Sequence, residues 1–304
     1  MNSELQQKLP SQTKDYFGNE QNQVKNYEAY RPKYPNDLIN LMKETAETGS
    51  KKAYLDIACG TGQLLFQLQS HFENSIGTDI SEKQLSVVEE LIKSNNLQNS
   101  VYSIVADCHQ LPKILQEKNL PTKFDLITIG QALHWFDVHP FLKMVGKDLL
   151  KHDGSFIIAS YYCKGYEYNF DDQEICQRAE NNYNTIFEDR TSLLYKFDCK
   201  ELQQGYPNYK FNEIYQFVQK LDQAQKTPAT VDQFINYIKT FSAYNTYVEL
   251  NSQKEGYLDP AEQLRNQIEK DIQEYQTKNN LTQRPQQPVK IVNQFFLRLL
   301  RQLI

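Results

Sequence analysis

Between residues 53 and 162, short apolar runs alternate with amphipathic stretches, and that beat constrains the fold more than any other feature. AYLDIA, NSIGTDI, SVYSIVAD, FDLITIGQAL and GSFIIASYY read as buried strands, short and bounded by turn residues. The intervening QLLFQLQSHF, SEKQLSVVEELIKSNN, HQLPKILQEK and HPFLKMVGKDLL read as helices, the second opening on the capping-box pattern Ser81-x-x-Gln84. Parallel strands need crossover connections, so the alternation predicts an α/β chain with a doubly wound, largely parallel sheet.

In such sheets ligands bind beyond the carboxyl ends of the strands, where the strand order reverses. The first strand ends in Asp56-Ile57-Ala58-Cys59-Gly60-Thr61-Gly62. Gly60 and Gly62 let the backbone turn sharply and approach a ligand without a Cβ in the way. The second strand ends in Asp79, nineteen residues after Gly60, where an acid can accept hydrogen bonds from both ribose hydroxyls. A dinucleotide fingerprint needs a third glycine, yet Leu65 stands where it should be when GTGQLL is read from Gly60, and ACGTGQ fails likewise. What remains is an acid, Asp56, four residues before a Gly-x-Gly, with a further acid, Asp107, closing the third strand.

On these residues the chain resembles the class I S-adenosylmethionine-dependent methyltransferases over about residues 25–165. LDIACGTG resembles the family's first motif, with Ala58 in place of its leading glycine, and GTDIS the second. VADCHQLP and FDLITIGQALHWFD are similar to the adenine-side segment and the fourth motif of the small-molecule branch. YEAYRPKYP, ALHWFD and INYIKTFSAYNTY are most similar to the trans-aconitate methyltransferase-like group. The resemblance implies a Rossmann-like seven-stranded sheet whose last strand, near residues 289–297, runs antiparallel. It also implies S-adenosylmethionine as cofactor, held by Asp56, Ala58, Cys59, Gly60, Gly62, Asp79, Ile80, Asp107, Cys108 and Gln131. The expected organisation is an N-terminal strap or lid over 1–35, a cofactor-binding core over 36–163, a helical cap insertion over 164–208, and C-terminal strands and helices over 209–304 that complete the sheet. PVKIVNQFFLRLLRQL is expected as an edge strand, YKFNEIYQFVQKL as another strand and TPATVDQFINYIKTFSAYNTY as one helix.

Methyl transfer from a sulfonium is an in-line displacement that requires no metal; alignment and exclusion of water are the enzyme's main tasks. A base matters only for an acceptor that arrives protonated. His134, just past the fourth strand, suits that base, with a structural histidine or a cap for the following helix the alternative. Trp135, the single tryptophan, suits the adenine or substrate wall as well as it suits core packing. Tyr27, Tyr30, Arg31 and Tyr34 suit a lid in which Arg31 meets a carboxylate, or a strap packed on the sheet. Tyr161, Tyr162 and Tyr244 are weaker candidates on the substrate side.

Composition narrows the acceptor. The net charge is -5 with no lysine or arginine run, which argues against nucleic acid. The fourth strand carries neither an Asn/Asp-Pro-Pro-Tyr/Phe run nor a Pro-Cys pair, so neither amino nor cytosine-carbon methylation of bases is supported. Five scattered cysteines without a CxxC pair argue against zinc and disulfides. The first twenty residues lack an apolar stretch, and no run approaches the ~20 apolar residues of a membrane span. These features together predict a cytoplasmic monomer or homodimer that methylates a small molecule, on oxygen and plausibly on a carboxylate. The alternatives are a catalytically silent subunit of a larger complex, and carbon methylation of a quinone- or lipid-like ring.

Overall fold

The computed structural model describes residues 30–47, 50–194, 199–207, 209 and 211–302. Tyr27 and most of the expected strap lie outside the described residues. Helix α1 (Asn36–Glu47) leads into β1 (Ala53–Ile57), α2 (Gln63–Leu68), β2 (Asn74–Asp79), α3 (Glu82–Ser94), β3 (Val101–Val105), α4 (Leu111–Glu117), β4 (Phe124–Gly130), α5 (Val138–Met144) and β5 (Leu150–Tyr168). After short helical turns and α6 (Arg178–Tyr183) come β6 (Tyr215–Ala229), α7 (Val231–Lys239), α8 (Ser242–Asn251), α9 (Pro260–Lys278) and β7 (Val289–Gln302). The sheet has seven strands in the order β3-β2-β1-β4-β5-β7-β6. β1 to β5 pair in parallel, while β7 runs antiparallel to both β5 and β6. This is a Rossmann-like sheet whose order reverses between β1 and β4, which opens a crevice at their carboxyl ends.

Each sheet face is covered. One face buries Leu55, Ile127, Phe141 and Phe156 under α4 and α5; the other buries Tyr54, Leu65, Val88 and Phe295 under α1, α2 and α3. β1 is buried along its whole length, as a strand covered on both faces must be. Close packing of α2 is supplied from an unexpected place. Leu65 occupies the position of a dinucleotide fingerprint's third glycine, and Gly77 on β2 makes room for it: a Cβ there would lie 2.7 Å from Leu65 Cδ2. Ser81 caps α3, its hydroxyl accepting from Gln84 N–H at 3.4 Å.

The C-terminal half differs from the sequence expectation in four places. Residues 164–168, expected in the helical cap, continue β5, because β7 is long enough to pair with it as far as Tyr168↔Val289 across a register shift at Cys163/Gly165. The strand expected over YKFNEIYQFVQKL begins later, at Tyr215, after a helical turn at Phe211–Glu213, and runs on to Ala229. Thr227–Ala229 are therefore strand, and the expected single helix is two, the first opened by a capping box between Thr230 and Gln233. β7 is not an edge strand: it lies between β5 and β6, and β6 is the edge.

A third apolar cluster joins the extension of β5 to α6, α7 and α9 through Tyr166, Tyr168, Phe234, Ile238, Leu264 and Ile268. Among the described residues, no helix is long and apolar enough to cross a membrane.

Candidate functional site

The loop after β1 is a run of left-handed backbone: Ala58, Gly60 and Gly62 have φ of +53°, +58° and +89°. A Cβ on Gly62 would lie 2.6 Å from the Phe66 ring, so that position excludes any side chain. Ala58 accepts the same conformation at a cost of roughly 1–2 kcal/mol for an L-residue. Replacing it with glycine recovers that strain and gives back about 0.5–1 kcal/mol of chain entropy. Ala58→Gly is therefore expected to raise stability slightly in a chemical denaturation series; a clear loss would contradict the strain.

Two acids hold this loop. Asp56, 1% exposed, accepts from Leu65 N–H at 3.1 Å and from the Thr128 hydroxyl at 2.6 Å, and Thr128 in turn meets the Tyr54 hydroxyl at 2.8 Å. Burial pushes its carboxyl up to about 7, against the lowering effect of those hydrogen bonds. Asp56 thus ties β1, β4 and the start of α2 together beneath the loop. Asp79, 9% exposed, closes β2 and accepts from Gly60 N–H and Ser81 N–H, each at 2.9 Å. A carboxylate accepts up to about four hydrogen bonds, so bracing the loop and taking a ribose diol are compatible.

The remaining residues expected around a cofactor gather at the same strand ends. Ile80, next to Asp79, keeps its side chain 38% exposed, a bare apolar surface beside the acid. Asp107 follows β3 and caps a short helical turn by accepting from His109 N–H at 2.9 Å. Cys108 beside it stays protonated: burial and the Asp107 charge push its thiol up to about 12. Cys59 is likewise held well above the usual thiol range by burial and by Asp56 and Asp79. Asp107, Cys108 and His109 are the one group of possible metal ligands close enough together among the described residues. Gln131, at φ +56° after β4, donates its side-chain amide to Tyr161 C=O at 2.8 Å. A Cβ on Gly130 before it would lie 2.9 Å from Leu64 Cδ1, so this strand end packs closely on α2.

On the acceptor side the expected residues divide. His134, half-buried, meets the Tyr206 hydroxyl through Nδ1 at 2.9 Å and stands beside Trp135. Burial, with the Arg31 charge nearby, pushes its pKa down to about 3, so the imidazole is neutral and weakly basic at pH 7. Arg31 donates to Thr240 C=O at 3.0 Å and lies over the Phe241 and Tyr237 rings. Tyr30 packs against the third apolar cluster. Tyr34, only 4% exposed, turns inward, its hydroxyl on Ala159 C=O at 3.3 Å and its ring against Tyr161 and Phe295; it is a core residue, not an open lid. Tyr161 is buried with it. Tyr244 is also buried, its hydroxyl on Asp259 at 2.9 Å. Tyr162, half-buried on β5 just beyond its parallel pairing, donates to Glu188 at 2.6 Å, and Tyr183 donates to the other oxygen at 3.2 Å.

The sequence reading missed Thr128, Glu188 and Tyr206. Thr128 carried a signal, as a hydroxyl inside an otherwise apolar strand; Glu188 and Tyr206 carried none.

The His134 shift has a consequence for stability. Its folded-state pKa lies below the unfolded value of about 6.5, so its contribution is complete above pH 6.5 and is lost as pH falls toward 3. Wild type is expected to lose more thermal stability than His134→Gln between pH 7 and pH 5; parallel losses would contradict this.

Residues 48–280 match the family model described as "Methyltransferase domain". A Saccharomyces cerevisiae protein named "Probable S-adenosylmethionine-dependent methyltransferase CRG1" is 31% identical over 136 residues, which cover 44% of each chain. The demethylmenaquinone methyltransferase of Lactobacillus johnsonii is 34% identical over 104 residues, 33% of this chain and 40% of that protein. The match thus spans less than half the length of either relative. A solved structure described as "a Putative Type II Methyltransferase from Anaeromyxobacter dehalogenans" superposes with a TM-score of 0.61 at 19% identity, covering 89% of this chain and 97% of the other. That likeness is one of fold. With the family model matched over most of its length and the sheet order and glycine loop described above, the chain belongs to the methyltransferase-domain family.

Proposed function

We propose that this chain binds S-adenosylmethionine beyond β1 and β4 and methylates an oxygen of a small carboxylate. The cofactor half rests on the chemistry of the donor set. Asp79 would hold the ribose hydroxyls, Ile80 would cover the adenine and Asp107 would receive its amino group. The bare backbone of Gly60 and Gly62 would admit the nucleoside, with Ala58 and Gln131 on the methionine side. When bound, the cofactor supplies an electrophilic methyl on a sulfonium.

The observation that carries the acceptor half is a neutral His134, hydrogen-bonded to Tyr206, that feels the charge of Arg31. A histidine held near 3 is a poor base at pH 7, which disfavours alcohols and phenols, whose proton must be removed. A carboxylate arrives without that proton, and the positive charge of Arg31 that His134 feels suits it. Trp135 and Tyr162 would wall the acceptor and exclude water.

The test is product formation from methyl-labelled S-adenosylmethionine with aconitate-like acids, matched alcohols and demethylmenaquinone. Base-labile methyl esters from the acids support the reading. Turnover on the alcohols or the quinone precursor alone would overturn the carboxylate assignment.

A further inference from the structure

His134 Nδ1 and the Tyr206 hydroxyl are 2.9 Å apart, and the chain goes to some length to bring them together. Tyr206 comes from the cap segment, seventy-two residues further on, and is buried to 2% exposure. It stands at φ +64°, directly after Gly205 at φ +68°. Two successive left-handed residues, one of them a tyrosine, persist only where the surroundings impose them. Three contacts do so. Tyr206 N–H donates to Glu201 C=O at 2.7 Å, Arg298 Nε on β7 donates to Gly205 C=O at 3.1 Å, and the Tyr206 ring stacks on Tyr209 at 5.3 Å. A Cβ on Gly205 would lie 2.6 Å from the Phe296 ring, so the turn leaves no room for a side chain there. The Ser160 hydroxyl, on the same side of β5 as Tyr162, is a further hydrogen-bond partner of Tyr206.

The hydrogens in this row follow from acidity. A phenol is the most acidic of the three groups, imidazole nitrogen the best acceptor, and a phenol oxygen a weak acceptor. Ser160 therefore donates to Tyr206, and Tyr206 donates to Nδ1. Each bond polarises the next. A neutral imidazole that accepts at Nδ1 carries its proton on Nε2.

Resting on the carboxylate reading above, we propose that Tyr206 is a positioning residue that locks His134 as an Nε2–H donor, so that His134 hydrogen-bonds an anionic acceptor oxygen instead of removing a proton from it. Arg31 then contributes charge and His134 direction to the same ligand. A site of one cation and one neutral donor selects a carboxylate over an alcohol even where both fit by shape.

Long-range proton–nitrogen NMR of the full chain, with the His134 signals assigned by their loss in His134→Gln, reads the tautomer without any ligand. The expected result is a single Nε2–H form in wild type and a mixed or inverted form in Tyr206→Phe. An Nδ1–H form in wild type, or an unchanged pattern in Tyr206→Phe, would overturn the proposal.

A second arm uses succinate as probe in the presence of S-adenosylhomocysteine. Succinate is expected to move the Nε2–H signal, with an apparent affinity about tenfold weaker in Tyr206→Phe, as befits one misdirected hydrogen bond. No movement at any succinate concentration would overturn the donor role. S-adenosylhomocysteine affinity within about twofold of wild type shows that Tyr206→Phe is folded around its site. Loss of that affinity in wild type itself would strike the cofactor reading, while the ligand-free tautomer would still decide for or against Tyr206.

Discussion

Asp79→Asn is expected to weaken S-adenosylhomocysteine binding by about 100-fold. The substitution keeps the shape and removes the charge. In the folded chain Asp79 accepts the Gly60 and Ser81 amides, each at 2.9 Å, so it shapes the loop and the start of α3 together. An asparagine can accept on one oxygen only; its amide would face one of those N–H groups, donor against donor. The proposed ribose contacts would lose the charged acceptor as well. Hydrogen bonds to a charged group contribute about 1.5–3 kcal/mol each, and losing the equivalent of two at the lower of these values, at about 1.4 kcal/mol per tenfold, gives the stated factor. Calorimetric titration of both proteins checks it, and an affinity change of under about threefold would remove Asp79 from the site.

Asp271→Ala is expected to be the most destabilising single change considered, at about 3–5 kcal/mol for breaking a buried charged network. Asp271 is 0% exposed on α9. One oxygen accepts from the Tyr168 hydroxyl at 2.6 Å and from Asn182 at 3.0 Å; the other accepts from Gln267 at 3.1 Å and pairs with Arg178 at 3.2 Å. These partners come from β5 and α6 as well as α9, so one carboxylate ties both helices to the extended strand. Its removal leaves a buried phenol O–H without its charged acceptor and takes one of two carboxylates from Arg178 among the described residues, leaving Glu274 at 2.9 Å. The damage should be local. Amide exchange is expected to accelerate first over residues 166–183 and 260–278, while β1 to β4 keep their protection. A loss of under about 1 kcal/mol, or exchange that rises uniformly, would contradict the network's role.

How much of this was legible in the sequence depended on which physical signal each part carries. β1, β2 and β4 are buried along nearly their whole length, and β1 and β4 appear in the sequence as short, largely apolar runs. The glycine loop was legible because left-handed backbone selects its residue type, and Asp79 because strand ends and spacing locate it. Ala58 shows the limit: in the sequence it is a methyl group added to a motif, whereas its φ of +53° makes it a strained position. β6 was misplaced because it is an edge strand with mostly exposed side chains, held by the backbone of β7 rather than by an apolar face. β7 was legible as a strand, yet its interior place was not, because pairing order is decided by a partner that was itself misread. Within the site, the character of His134 could not be read at all. It depends on burial, on Arg31 and on Tyr206, which lie far from it in sequence on either side and carry no spacing relative to it.

The central claim is that the loop from Ala58 to Gly62, together with Asp79, holds a methyl-donor nucleoside. A crystal structure of the chain grown with saturating S-adenosylhomocysteine tests it most directly. The account predicts one ligand at the carboxyl ends of β1 and β4, with both ribose hydroxyls on Asp79 and the adenine over Ile80. A ligand bound elsewhere, or a loop that stays empty at saturating concentration, would contradict it.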